Sequence, residues 1–89
     1  MNRAETLEAA KKCVCGDREQ DYGNPEDSFR RTAAMWTALF GVRFTAADVA
    51  EAMICLKLVR EKTGHSKADN WIDIAGYAAC GCEIQGGVK

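Results

Sequence analysis

The sequence predicts an all-α protein, a compact bundle of about four short helices in a single domain spanning residues 1–89. Three observations predict it. Apolar residues recur at helical spacing along the whole chain and runs of β-branched residues are few. The only proline is Pro25, at a place where a helix can begin. Three later segments open with the same start signal, a Ser, Thr or Asn followed three positions on by Asp.

The first helix is expected from Arg3 to Cys15, with Leu7, Ala10 and Val14 on one face and Gly16 as its stop. The second runs from Pro25 to Phe40 on the stripe Phe29, Ala33, Trp36 and Phe40, ended by Gly41. Asn24-Pro-Glu-Asp27 is its start signal, and proline at the first helical position loses no hydrogen bond because that N–H has no partner within the helix. The third extends from Ala46 to about Lys62, with Val49, Ala52, Met53, Leu56 and Val59 on one face, Thr45 and Asp48 at its start and Gly64 at its end. The fourth covers Lys67 to about Gln85, with Trp71, Ile74, Ala75 and Ala78 inward and Ser66 and Asp69 at its start, before Gly86-Gly87. Trp36 and Trp71 are both expected in the core.

Composition narrows the function. Twelve basic and thirteen acidic residues nearly cancel and no basic run of five exists, so the electrostatic footprint of a nucleic-acid binder is absent. No apolar stretch approaches the roughly 20 residues of a membrane span, and the N-terminus lacks a signal peptide's apolar core. A soluble, cytoplasmic chain is expected. With 47% hydrophobic residues in 89, the chain holds more apolar side chain than so small a core hides, and a homo-oligomer is expected. The five cysteines include Cys13-x-Cys15 and Cys80-x-Cys82, whose spacing turns the two thiols of each pair to opposite sides of a helix. Reduced thiols in a cytosolic protein fit this better than a zinc site. His65 stands alone in a loop, so no nucleophile–base pair suggests itself.

The acids carry the remaining signal. Five of them, Asp17, Glu19, Asp21, Glu26 and Asp27, surround the Tyr-Gly-Asn-Pro turn. Helix capping accounts for Asp27, Asp48 and Asp69. It leaves Glu51 one turn after Asp48, and Asp73 one turn after Asp69 between Ile72 and Ile74, where a carboxylate needs a cation, a donor or solvent. Carboxylates at such spacing on facing helices are how a bundle holds Mg²⁺, so Asp48, Glu51, Asp69 and Asp73 are candidate metal ligands. Connected antiparallel helices, however, place Asp48/Glu51 and Asp69/Asp73 at opposite extremes of the pair. Lys57 and Arg60 are candidates for phosphate contact, against the alternative that both lie along the rim with Lys57 paired to Glu61. Asp21 and Tyr22, before Gly23, offer a base-stacking face and close backbone approach, or simply a turn. Tyr77 is placed to hydrogen-bond Asp73.

The segments RxxDYGNPxxxF from Arg18 to Phe29, DVAxxMxxLKxxR from Asp48 to Arg60 and DNWIDIAGY from Asp69 to Tyr77 together resemble a family of short phage and prophage proteins of uncharacterised function. Their order also resembles the nucleotide-modification-associated domains of phages and, more distantly, the MazG-like all-α nucleoside triphosphate pyrophosphohydrolases. The resemblance implies a phage- or prophage-encoded protein in a bacterial host, with Mg²⁺-dependent cleavage of a nucleoside triphosphate to monophosphate and pyrophosphate. The alternatives are a nucleotide-binding protein without turnover and a helical interaction module. The E-x-x-D helix of the distant class corresponds to Asn70-x-x-Asp73, and its E-E-x-x-E helix to Asp48-x-x-Glu51 or Glu5-x-x-Glu8. Asn70 thus stands at an acid position, and with Asp21, Tyr22, Lys57 and Arg60 it is a candidate nucleotide contact.

Overall fold

Each helix begins where a side chain can satisfy the N–H groups that a helix start leaves unpaired. The computed structural model describes residues 1–17, 20, 23–64 and 66–86, and within them the chain forms four α-helices and one wide turn. Helix α1 spans Arg3–Lys12, a single π-helical turn follows at Cys13–Asp17, and then come α2 (Pro25–Phe40), α3 (Ala46–Thr63) and α4 (Ala68–Gly86). No strand occurs among the described residues. The expected helix count and most boundaries are met, and the all-α bundle is what the chain forms.

The start signals behave in three ways. At α3 the signal is complete: Asp48 N–H donates to Thr45 Oγ1 at 3.1 Å and Thr45 N–H donates to Asp48 Oδ2 at 2.8 Å. At α2 only half is made, with Asp27 N–H donating to Asn24 Oδ1 at 2.9 Å. At α4 the expected signal gives way to another. Ser66 turns its hydroxyl to Glu61 Oε2, and the Lys67 N–H also bonds Glu61. The end of α3 therefore caps the start of α4, and Asp69 is left exposed in the first turn. A further box at α1 was not anticipated: Asn2 and Glu5 exchange bonds of 2.8 and 2.9 Å. Gly41 ends α2 at φ 71°, the left-handed region that glycine enters without a Cβ penalty.

Helices α3 and α4 form an antiparallel hairpin whose register is read from three cross-contacts. Near the connection Asn70 Nδ2 donates to Glu61 Oε1 at 3.0 Å. Midway, Lys57 Nζ lies 2.8 Å from Asp73 Oδ2. At the far end a Cβ built on Gly81 would stand 3.4 Å from Ala50 Cβ. Helix α1 packs on α4, and the π turn after it meets α4 at Gly76, where an added Cβ would come within 3.0 Å of Val14 Cγ1. Helix α2 packs on α3 and reaches α4 through Phe29, whose ring centroid is 6.1 Å from that of Tyr77. The loop after α2 is held back on it by the Phe44 N–H, which donates to Thr37 Oγ1 at 2.9 Å. Trp36 meets Phe44 edge-on at 5.6 Å.

Among the described residues the core is made mostly of small side chains, Ala10, Ala33, Val49, Ala50 and Cys80, with Ile72 the one large aliphatic. Small residues let helices approach closely, but little apolar area is removed from water. The inward face of α4 is Ile72, Gly76 and Cys80 rather than the expected Trp71, Ile74, Ala75 and Ala78. Trp71 is exposed, correcting its placement in the core, and Phe40, Leu56 and Val59 are exposed as well. The reason is register. On a helix that is apolar nearly all round, spacing is compatible with several stripes, and the partner helices decide which one is covered. None of the five cysteines is in a disulfide.

Candidate functional site

The π turn and two helices enclose a cleft of about 230 Å³. Cys13 and Val14 of the turn form one wall, Pro25, Ser28 and Phe29 at the start of α2 a second, and α4 the third. Helix α4 contributes Ile72, Asp73, Gly76, Tyr77 and Cys80, positions recurring at i, i+4 and i+8 with their neighbours, hence one face. π turns are uncommon and are found frequently beside functional sites. Here the turn brings Cys13 and Val14 against α4, and the missing side chain of Gly76 leaves room for Val14. The lining is mainly apolar, with two aromatic rings and few polar groups, as is usual for small-molecule sites.

Among the described residues lining this cleft Asp73 is the charged one, and it is paired with Lys57. The two side chains are 26% and 12% exposed and lie 2.8 Å apart. A carboxylate so far removed from water needs a partner, and α3 supplies it. The sequence anticipated the need for a partner, but its two readings of Lys57 were phosphate contact or a pair with Glu61. Glu61 is instead held by Ser66, Asn70 and the Lys67 N–H. The Ser66 hydroxyl first, then Asn70, hold the Glu61 carboxyl below the ordinary glutamate range, aided by the backbone of Lys67 and the charge of Lys62 and opposed by partial burial. Tyr77 does not serve Asp73 either, and its ring lies against Phe29.

The four candidate metal acids do not assemble. Asp48 is engaged with the Thr45 N–H. Glu51 is exposed and borders a shallow groove with Ala47, Ile54, Gly81 and Gln85, at the far end of the hairpin. From Glu51 to Lys57, which faces Asp73, the helix climbs about 9 Å. Asp69 is exposed at the start of α4. Among the described residues no three acidic, histidine or cysteine side chains are grouped to hold a metal ion. Among the described residues, the side chain facing Asp73 is a lysine and not a further oxygen ligand. Glu5, the alternative acid of α1, is bound to the Asn2 N–H.

The nucleotide candidates separate in the same way. Asn70 is buried and committed to Glu61, and Lys57 to Asp73. Arg60 is exposed one turn beyond Lys57. Asp21 and Tyr22 lie outside the described residues, as does His65. The sequence reading missed Ser28, Gly76, Cys13 and Cys80 as cleft residues and Glu61 as the cap of α4. The only signals available for them were a helix-interior glycine and an acid just before a short connection. No helix among the described residues is long and apolar enough to cross a membrane.

The phage resemblance read from the motifs is matched by relatives. Gene 55 protein of Mycobacterium phage L5 is 42% identical over 73 residues, 81% of this chain and 47% of that protein. Gene 55 protein of Mycobacterium phage D29 is 36% identical over 75 residues, 83% of this chain and 49% of that protein. The chain thus spans about half the length of the curated relatives it matches. No solved structure matches it. Residues 5–85 match the domain of unknown function DUF6378, and since that match covers the cleft and all but the first two residues of α1, the chain belongs to the DUF6378 family.

Proposed function

We propose that the protein binds a nucleotide through its base, without hydrolysing it, in the cleft between the π turn, α2 and α4. The observation that carries this reading is the pairing of two aromatic rings, Phe29 and Tyr77, with a carboxylate, Asp73, on one small concave surface. The rings supply an apolar contact for a planar heterocycle. Asp73 accepts hydrogen bonds and so selects for a base with an exocyclic amine or ring N–H. The volume, about 230 Å³, is below the roughly 300–1,000 Å³ of pockets that enclose drug-sized ligands. It suits a base or nucleoside, with the phosphates outside.

Binding without turnover is preferred because Lys57 occupies the place beside Asp73 where a metal-holding acid would be needed. The test is ligand-observed NMR with ribo- and deoxyribonucleosides and their mono- and triphosphates, followed by Phe29→Ala and Asp73→Asn. Base-dependent saturation transfer that Phe29→Ala abolishes supports the reading. No binding of any nucleoside or nucleotide would refute it. Pyrophosphate released from a triphosphate in the presence of Mg²⁺ would refute it in favour of the pyrophosphohydrolase that the sequence resemblance implies.

A further inference from the structure

The C-terminal half of α2 and the residues just after it form an apolar surface that no other described residue covers. Met35, Leu39, Phe40 and Val42 are 67%, 71%, 63% and 60% exposed. Met35 and Leu39 stand one turn apart on α2, the spacing of a helix–helix seam, and Val42 follows just beyond the Gly41 cap. Ala34 and Ala38, also exposed, flank that seam and are small enough for a neighbouring helix to approach closely. No charged residue interrupts the chain between Arg31 and Arg43. The other exposed hydrophobes differ in this respect. Leu56, Leu58 and Val59 on α3 are interleaved with Lys57, Arg60, Glu61 and Lys62, as scattered surface hydrophobes commonly are.

The whole chain is over-exposed by an amount that an interface would absorb. Its accessible surface is 6525 Å², whereas a folded monomer of its mass exposes about 5,100 Å². The excess of about 1,400 Å² exceeds the roughly 800 Å² that each partner contributes to a standard stable interface. The radius of gyration, 13.5 Å, is likewise above the about 12 Å of a compact domain of this length.

We infer that α2 is the interface of a homodimer, with a second copy of the chain packed on its Met35–Leu39 face. A twofold axis midway between Met35 and Leu39 lays the C-terminal halves of the two α2 helices antiparallel, so that Met35 of each copy meets Leu39 of the other. The patch is uncharged, so the two copies bring no like charges together at its centre. This proposal is independent of what the cleft binds.

Sedimentation equilibrium of the 89-residue chain across a wide concentration range tests it, with Leu39→Glu and Val59→Glu as variants. The expected result is a dimer that Leu39→Glu weakens by roughly tenfold or more, the loss expected at a central interface residue, while Val59→Glu leaves it intact. Circular dichroism of Leu39→Glu should show unchanged helicity, because Leu39 faces solvent in the monomer. A chain that sediments as a monomer throughout would overturn the inference. So would a dimer insensitive to Leu39→Glu but dissociated by Val59→Glu, which would place the interface on α3.

Discussion

Replacing Lys57 by methionine removes the partner of Asp73 while keeping most of the volume of the side chain. The cost follows from how far the pair is withdrawn from water. Fully exposed ion pairs contribute about 0–1 kcal/mol, whereas deleting one partner of a fully buried pair costs about 3–5 kcal/mol because the remaining charge is uncompensated. With 12% and 26% of the two side chains exposed, Lys57→Met should cost about 2–3 kcal/mol. A domain of this size has a total stability of only about 4–13 kcal/mol, so the effect is large. In thermal unfolding it corresponds to a fall of roughly 10–20 °C.

Asp73→Asn should cost less. The lysine left behind has a long flexible stem and can carry its charge to solvent, an escape closed to a short aspartate on an inward face of α4. The double variant Lys57→Met/Asp73→Asn should recover part of the loss, giving a coupling energy of about 1–2 kcal/mol. The assay is urea unfolding followed by circular dichroism at one fixed protein concentration for all four proteins. A cost below about 0.5 kcal/mol for Lys57→Met with no coupling would put the pair in the class of exposed ion pairs and refute the reasoning.

Two further perturbations probe the packing and the α3–α4 connection. Gly81→Ala adds a Cβ at ordinary contact with Ala50 and removes a poor helix former, so it should stabilise by about 0.5–1 kcal/mol. Gly76→Ala gains the same propensity but drives its Cβ to 3.0 Å from the β-branched Val14, whose stiffness leaves little room to yield, and should end at least about 1 kcal/mol less stable than Gly81→Ala. Equal unfolding temperatures for the two would show that the π turn does not pack closely there. At Glu61 the folded carboxyl holds its proton less tightly than the unfolded one. Its contribution is therefore complete above the ordinary glutamate range and is lost as pH falls through the lowered folded value. Glu61→Gln should flatten that part of the stability–pH curve, and an unchanged curve would show that the Ser66 and Asn70 bonds do not favour the charged form.

Local features of this fold were legible because their causes are local. Asn24 and Pro25, Thr45 with Asp48, and Gly41 act within one or two turns, and all stand where the spacing put them. Where local rules were extended to a longer reach they failed. Ser66 looked like the cap of α4 until Glu61, at the end of the preceding helix, took its hydroxyl. Asp69 then lost its explanation, and Asn70, read as a candidate nucleotide contact at an acid position of the resembled motif, is the buried tie between two helices. The cleft was legible only in fragments. Asp73 announced itself as a carboxylate in need of a partner, and Phe29 as an apolar stripe residue, but nothing in either segment indicated that they share a surface.

Sequence alone determined that this chain is helical, how many helices the described residues form and nearly where each begins and ends. Capping hydrogen bonds, the fixed φ of proline and the left-handed freedom of glycine operate within four or five residues and are written in adjacent letters. Only the tertiary structure decided that Lys57 neutralises Asp73, that Phe29 meets Tyr77 beside the π turn, that Asp48 and Glu51 stay at the other end of the hairpin, and that Trp71 faces outward. Those outcomes depend on the register and rotation of whole helices. In helices apolar on several sides and packed through alanine and glycine, many registers satisfy the hydrophobic pattern equally, and the choice rests on close backbone approach at Gly76 and Gly81.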